Sequence, residues 1–349
     1  METTELRYVD LKNYICRQIY EGVYQDGEKI PSERQMAVDY EVSRITVRKA
    51  LELLEEEELI VREVGNGTTV TLKNHGNETS LDVIALAAPS RNPFFAHFIA
   101  KFQRCAWEHD ALLLYVEAPE HTALEDCLYR LYSKNIRNAV VWPDDRSVDQ
   151  EKLFRLRSIG MNLVFFDTDA AGDYADSVFV DNIDAVRTLL EQEPEKHKQY
   201  LYIGWDNQQV GNIRKREESF RKFCPDGQVY HVPWRRDRQM AEASKREIKK
   251  LSDRMTDGMI LCGTGELAQQ TAEAIWDPGM PEESQKERIA LAAIDDFEGS
   301  GRYPVSVYNQ DLEKAAREIY QSLERQSREG RKWKAQIIPV KGDYKGKQV

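Results

Sequence analysis

The chain has 349 residues, 41% hydrophobic and 31% charged, with a net charge of -11. That is ordinary globular material, long enough for two or three cores, and it excludes wholesale electrostatic adhesion to nucleic acid or an acidic membrane while leaving room for a local basic patch. Five cysteines (Cys16, Cys105, Cys127, Cys224, Cys262) in no paired spacing imply reduced thiols; no apolar run approaches the ~20 residues of a membrane span, and the N-terminus lacks the regions of a signal peptide, so the expected compartment is the cytoplasm.

Residues 1–73 hold ten Lys/Arg against fifteen Asp/Glu. Any anion-binding role for this stretch requires its charges to segregate by face. Leu11, Ile15 and Ile19 recur every four residues and predict an amphipathic helix over 9–21. Gly22 and Gly27 end it. Pro31 before Ser32, with Gln35 three residues later, signals the start of a second helix, whose apolar face is Met36, Ala37 and Tyr40. Glu41 and Val42 make a turn. Ser43 then caps a third helix over 44–55, with Val47, Ala50, Leu51 and Leu54 as its inward stripe.

Arg44 and Arg48 fall on the outward side of that third helix, with Ile45 and Lys49 beside them. A recognition helix meets the major groove with its N-terminal residues, where arginine forks onto guanine or clamps phosphate. Ser43 and Thr46 add hydroxyls near the positive end of the helix dipole. In isolation such an arginine pair is more often the mark of a solvated helix face. Residues 59–62 and 68–72 read as two strands around Gly65-Asn66-Gly67, a strong hairpin signal. The tip, Asn66 to Thr68 included, suits a groove or phosphate contact, or is a plain surface hairpin.

The strings IPSER (30–34), VSRITVRKAL (42–51) and GNGT (65–68) resemble the winged-helix domain of GntR-type bacterial transcription regulators over residues 8–72. The resemblance implies DNA contact by Arg34, Arg44, Thr46 and Arg48, with Gly65 and Gly67 at the wing; Ser32, Ser43, Lys49, Asn66 and Thr68 join them from the reading above. The family usually has glycine where Glu58 stands. If that position is left-handed here, Glu58 costs on the order of 1 kcal/mol. Thr69 replaces the usual wing phenylalanine. The run Glu55 to Glu58 must point away from phosphate.

Residues 73–80 are polar and aperiodic and read as a linker between an N-terminal domain (1–72) and a second module (81–349). There, apolar runs at 83–88, 112–116, 139–142, 162–166, 177–180, 200–204, 228–232, 258–262 and 289–294 alternate with helical stretches at 95–109, 124–133, 183–193 and 267–275. Such alternation implies an α/β architecture of parallel sheets covered on both faces, and about 270 residues favour two doubly wound lobes. Ligands in such folds sit beyond the carboxyl ends of the strands. That rule selects Ser90-Arg91-Asn92, Glu117, Asp144, Asp167, Trp205, Thr264 and Asp295-Asp296, with Phe94, Phe95 and Trp142 as aromatic additions. Polar groups with aromatic faces suit a carbohydrate, although ordinary loop polarity produces a similar set.

PSRNPFF (89–95), DSVFVDN (176–182), REESF (216–220), AAIDDF (292–297) and YNQDLEKAA (308–316) are similar to the effector domain of LacI-type regulators and periplasmic sugar-binding proteins. The resemblance implies ligand contacts by Phe94 or Phe95, Arg216, Asp295 and Gln310. Trp205, Thr168 and Thr264-Gly265 depart from the family pattern near the expected pocket, so the usual sugar need not fit; Trp205 offers a new stacking face. A GntR-type head joined to a LacI-like sensor is the architecture of arabinose-responsive repressors.

The expectation is a DNA-binding transcription regulator, a repressor, controlled by a sugar or sugar-like metabolite held between two lobes. A homodimer on operator DNA is expected, because one helix reads only a few base pairs. A non-sugar effector such as a nucleobase is the alternative. Catalysis is disfavoured: adjacent Asp295 and Asp296 point apart in an extended segment, Gly263-Thr264-Gly265 alone is weak evidence for phosphate binding, and the six histidines show no ligand spacing. No metal or cofactor is expected.

Overall fold

The computed structural model describes residues 3–63, 65–73, 80–88, 93–117, 119, 122–143, 146–193, 197–234, 238–276 and 289–347. The expected sites Asn92 and Asp144, the side chain of Phe94 and most of the 73–80 linker lie outside the described residues. The chain divides into a first unit, Met1–Val178 with Ala316–Ile338, and a second, Phe179–Ala315 with Pro339–Val349.

The first unit opens with a small head: α1 (Thr3–Tyr20), β1 (Lys29–Ile30), α2 (Glu33–Asp39), α3 (Arg44–Glu56), β2 (Ile60–Glu63) and β3 (Gly67–Val70). Helix α1 begins six residues before its expected start at residue 9. Leu11, Ile15 and Ile19 are buried against Val47, Ala50, Leu51 and Leu54 of α3, as the two stripes require. Each large side chain so buried contributes about 1.5–3 kcal/mol. The three strands pair antiparallel in the order β1-β3-β2. Strand β1 was invisible in the sequence: two residues carry no period, and only β3 defines them.

Glu58, just past the C-cap of α3, has φ of +58°. Its N–H donates to Glu55 O and the next N–H returns to Leu54 O, so the left-handed turn closes the helix. Glu58→Gly is therefore expected to raise the unfolding free energy by about 1 kcal/mol, measured by urea denaturation. An unchanged midpoint would mean that the glutamate side chain offsets its own backbone strain.

Beyond the head, the first unit holds a sheet of order β14-β8-β7-β6-β4-β5 among the described residues. Its strands are β4 (Val83–Ala87), β5 (Leu112–Val116), β6 (Asn138–Val141), β7 (Asn162–Phe166), β8 (Asp176–Val180) and β14 (Ile337–Val340). Helices α4 (Pro93–Glu108), α5 (Leu124–Ser133), α6 (Gln150–Ser158) and α11 (Leu312–Glu329) accompany them. Strands β4 to β8 pair in parallel, and their near-continuous burial matches their unbroken apolar runs, with the edge strand β5 as the exception.

The second unit repeats the plan with the order β10-β9-β11-β12-β13-β15. Its strands are β9 (Gln199–Trp205), β10 (Gln228–Val232), β11 (Gly258–Cys262), β12 (Ile289–Ile294), β13 (Val305–Asn309) and β15 (Asp343–Lys345); its helices are α7 (Asn182–Glu191), α8 (Gly211–Phe223), α9 (Arg238–Asp253) and α10 (Gly265–Trp276). One expectation is corrected here. The sheet is not wholly parallel, because β15 pairs antiparallel with β13. This short strand has no apolar run of its own and is ordered by Tyr308, whose hydroxyl accepts from Gly342 N at 2.7 Å.

Candidate nucleic-acid interface and effector residues

Ser43 caps α3 by accepting from Thr46 N at 3.1 Å, and its Oγ also lies 2.9 Å from Thr46 Oγ1. Ser32 caps α2 through Gln35 N at 3.3 Å. These caps bring the start of α2 against the first turns of α3. There Glu33 receives Arg62 at 2.6 Å, Arg48 at 3.4 Å and Arg44 at 4.0 Å. The sequence reading missed Glu33 and Arg62, since nothing local shows that one carboxylate will sort three guanidiniums. Arg44 and Arg48 nonetheless remain 65% and 58% exposed. At about 100° per residue, Arg44, Arg48, Ile45 and Lys49 span about 140° of the helix circumference, and all four are exposed. The same arc continues as Glu52, Glu55 and Glu56 in the later turns. Charge thus segregates along α3, basic at its start and acidic toward its end.

The expectation that the run Glu55 to Glu58 points away from the basic face is met only in part, because Glu55 and Glu56 share its exposed arc. Glu57 pairs with Lys12 at 2.6 Å, and Glu55 lies 3.7 Å from Arg62. Lys49 lies over the Tyr8 ring at 5.4 Å, which adds Tyr8 to the face. Arg34 is exposed. At the hairpin tip Gly65 and Gly67 have φ of +80° and +94° with open space around them. Between them Asn66 accepts from Lys29 at 2.8 Å. Thr68 is half-buried in β3, opposite Arg62. One expected contact changes character: Thr46 is buried, and its hydroxyl serves the cap rather than an open phosphate site.

In the first unit, Phe95 is fully buried and stacks on Trp142 with centroids 4.8 Å apart. Trp142 is itself buried. Asp167, at the end of β7, has φ of +61° and donates its N–H to Val178 O. The second unit repeats that device: Asp295, at the end of β12, has φ of +70° and donates to Tyr308 O. Aspartate in this conformation is uncommon and strained, and it occurs here at corresponding strand ends of both units.

Asp295 accepts from Gln310 Nε2 at 2.7 Å. Burial pushes its carboxyl above the usual range, against the opposing pull of Arg216 and Gln310. Arg216 is buried, with Nε on Asn182 Oδ1 at 2.8 Å and Nη1 on Gly263 O at 2.7 Å. Thr264 follows directly and accepts from Leu267 N to start α10. Gly265 is required next to it, since a Cβ there would lie 2.4 Å from Asp296 O. The second unit therefore gathers Arg216, Thr264, Asp295 and Gln310 at the carboxyl ends of β11 to β13, joined by Asn182, which the sequence reading did not select. Trp205 does not offer the expected stacking face: it is buried and meets Trp234 in a T-shaped contact at 5.5 Å.

Residues 7–70 match the family of bacterial regulatory proteins, gntR family. The uncharacterized HTH-type transcriptional regulator YurK of Bacillus subtilis (strain 168) is 46% identical over 63 residues, which cover 18% of this chain and 26% of YurK. The chain thus spans about a quarter of the length of the curated relatives it matches. Beyond the head the likeness is one of fold. A lac repressor dimer bound to operator and the anti-inducer ONPF superimposes with a TM-score of 0.58 at 16% identity, covering 78% of this chain and 96% of that one. A periplasmic binding protein/LacI transcriptional regulator from Alkaliphilus metalliredigens QYMF, complexed with D-xylulofuranose, gives 0.58 at 15% identity, covering 76% and 99%. The chain therefore carries a GntR-type winged-helix domain at its N-terminus, followed by a region with the LacI-type fold.

Proposed function

We propose that this protein is a transcription repressor that binds operator DNA through α3 and the hairpin, and releases or grips it according to a sugar or sugar-like metabolite. The observation that carries the reading is the exposed Arg44 and Arg48 pair on the basic half of an otherwise acidic helix. Arg34, Lys49, Gly65, Asn66 and Gly67 extend the same face, and Ser32 and Ser43 hold it in shape. A regulator of chromosomal DNA works in the cytoplasm. Within the second unit, Arg216, Asp295, Gln310 and Thr264 form the polar group for effector recognition; Trp142 and Asp167 are the candidates that the first unit carries at its own strand ends. The bound sugar of the A. metalliredigens protein favours a carbohydrate over a nucleobase.

The test is selection of a binding sequence from random DNA by the full chain, followed by retardation assays with pentoses, hexoses and purines. One sugar is expected to change operator affinity. Failure to enrich any sequence overturns the regulator reading, and a response to purines alone replaces the sugar with a nucleobase. Turnover of the bound sugar would instead make the protein an enzyme. Asp295→Asn is expected to weaken effector binding by roughly tenfold or more, since a hydrogen bond to a charged group contributes about 1.5–3 kcal/mol. Titration calorimetry reads this directly.

We also infer a homodimer. Trp107 on α4 is 75% exposed, near Leu112 and Leu114 on β5, the edge strand of its sheet. An exposed apolar edge of this kind calls for cover. Trp107→Arg is expected to yield a monomer in sedimentation; a dimer that survives at equal concentration would put the interface elsewhere.

A further inference from the structure

The head is held against the rest of the first unit by more than the chain that joins them. The second half of α1 is clamped between α5 and α6. Tyr20 is buried, stacks on Tyr129 at 4.4 Å and 13°, and donates its hydroxyl to Asp126 at 2.6 Å. Lys152 of α6 binds the same carboxylate at 2.8 Å and lies over the Tyr20 ring. Tyr132 donates to the sulfur of fully buried Cys16 at 3.3 Å, and Arg137 covers the outer face of that tyrosine at 3.8 Å. Tyr129 reaches Asn13 O, and Arg155 reaches Tyr20 O. At Gly22, whose φ is +78°, a Cβ would lie 2.6 Å from the Arg155 guanidinium, which would have to swing aside. One hydrophobic cluster runs without a break from Leu11 and Leu54 through Leu128 and Leu156 to Leu163 and Phe165.

These contacts form a continuous packed route. Strands β6 and β7 lead into Trp142 and Asp167, the first unit's candidate effector residues. Helices α5 and α6 lie on that sheet, α1 lies on α5 and α6, and α3 lies on the other side of α1. Interiors packed in this way move as blocks and are not continuously deformable.

We propose that the head travels with the first unit as one body, and that Tyr20, Asp126, Tyr129 and Arg155 are positioning residues through which effector binding reaches the recognition helix. This rests on the regulator reading above. It differs from a head swinging on the 73–80 tether, because it assigns the transmission to side chains. Operator affinity then responds to effector because α3 is displaced with α5 and α6. Loosening the clamp uncouples the two sites without touching either. A coupling of ordinary strength changes affinity about 5- to 150-fold.

The experiment uses the full-length double variant Asp126→Ala, Tyr129→Ala, with Tyr20→Phe as the milder partner that keeps the ring and loses only the hydrogen bond. Three quantities are measured on each: effector affinity by calorimetry, operator affinity with and without effector, and the alkylation rate of Cys16 by peptide mass spectrometry. In the wild type Cys16 is expected to label at least tenfold more slowly than half-buried Cys224. In the double variant Cys16 becomes reactive, effector affinity stays within about twofold, and the effector-induced change in operator affinity falls toward unity. Tyr20→Phe is expected to lie between. Two results overturn the proposal: rapid labelling of Cys16 in the wild type, or a double variant with exposed Cys16 that keeps the full effector response. If the wild type binds neither operator nor sugar, the regulator reading has failed instead, and Cys16 protection still reports on the clamp.

Discussion

Replacing Arg44 and Arg48 together by alanine is expected to lower specific operator affinity by about two to four orders of magnitude. Each forked contact to a guanine edge supplies about 1–3 kcal/mol of discrimination, and both side chains are exposed on one arc of α3. Folding should be untouched, because neither guanidinium is buried and Glu33 keeps its shorter bond to Arg62 at 2.6 Å. The two arginines also hold the local charge balance. Without them the acidic chain presents Glu33, Glu52 and Glu55 to phosphate, so nonspecific binding should fall as well. Lys49→Ala provides the contrast: a phosphate-type contact weakens binding evenly across sequences and reduces the salt slope by about one. Fluorescence anisotropy on the selected operator, across a salt series, measures both. An Arg44→Ala, Arg48→Ala protein with wild-type specific affinity would remove the basis of the proposed function.

The second large effect is expected far from DNA. Arg157 of α6 is fully buried and donates to Met161 O at 2.6 Å, Asn162 Oδ1 at 3.0 Å and Gln326 Oε1 at 2.8 Å, with Trp333 stacked over it at 4.3 Å. Gln326 and Trp333 in turn bind Asp176, which Arg325 reaches at 2.7 Å. This network ties the returning helix α11 to β7 and β8. Arg157→Ala is expected to cost about 3–5 kcal/mol, from the orphaned acceptors and the cavity left behind, a large share of a typical total stability of about 5–15 kcal/mol. The loss is readable as a lower urea midpoint followed by Trp fluorescence. Arg157→Met should recover much of it, since the apolar stem refills the space and two guanidinium nitrogens have no partner among the described residues. Arg157→Lys should not, because an ammonium cannot stack on the Trp333 ring as the planar guanidinium does. A loss below about 1 kcal/mol for the alanine variant would show that α11 is held by its apolar face alone.

Local patterning made much of this molecule legible. The stripe Val47, Ala50, Leu51 and Leu54 announces α3 because a buried helix face repeats every 3.6 residues. The unbroken runs at 112–116, 162–166, 228–232, 258–262 and 289–294 coincide with observed strands, since flat apolar segments of that length have few alternatives. The resemblance marked Glu58 as standing where the family usually has glycine, and its φ of +58° puts that position in the left-handed region. Strands β1, β13, β14 and β15 were not among the expected runs, because each is short and is defined by hydrogen-bond partners elsewhere in the chain.

Composition, periodicity and capping residues by themselves determined three short helices and a hairpin, the outward arginines, and an alternating α/β remainder, because each is written within a few turns or one strand of chain; the resemblance to GntR-type regulators made the head a winged helix. Tertiary structure alone decided that Glu33 gathers three arginines, that Thr46 and Trp205 turn inward, that Asp295 meets Gln310 and Arg216, and that Tyr20 docks on Tyr129. Those contacts join residues between 11 and 109 positions apart. Their energies depend on which surfaces exclude water together, and no local pattern carries that information.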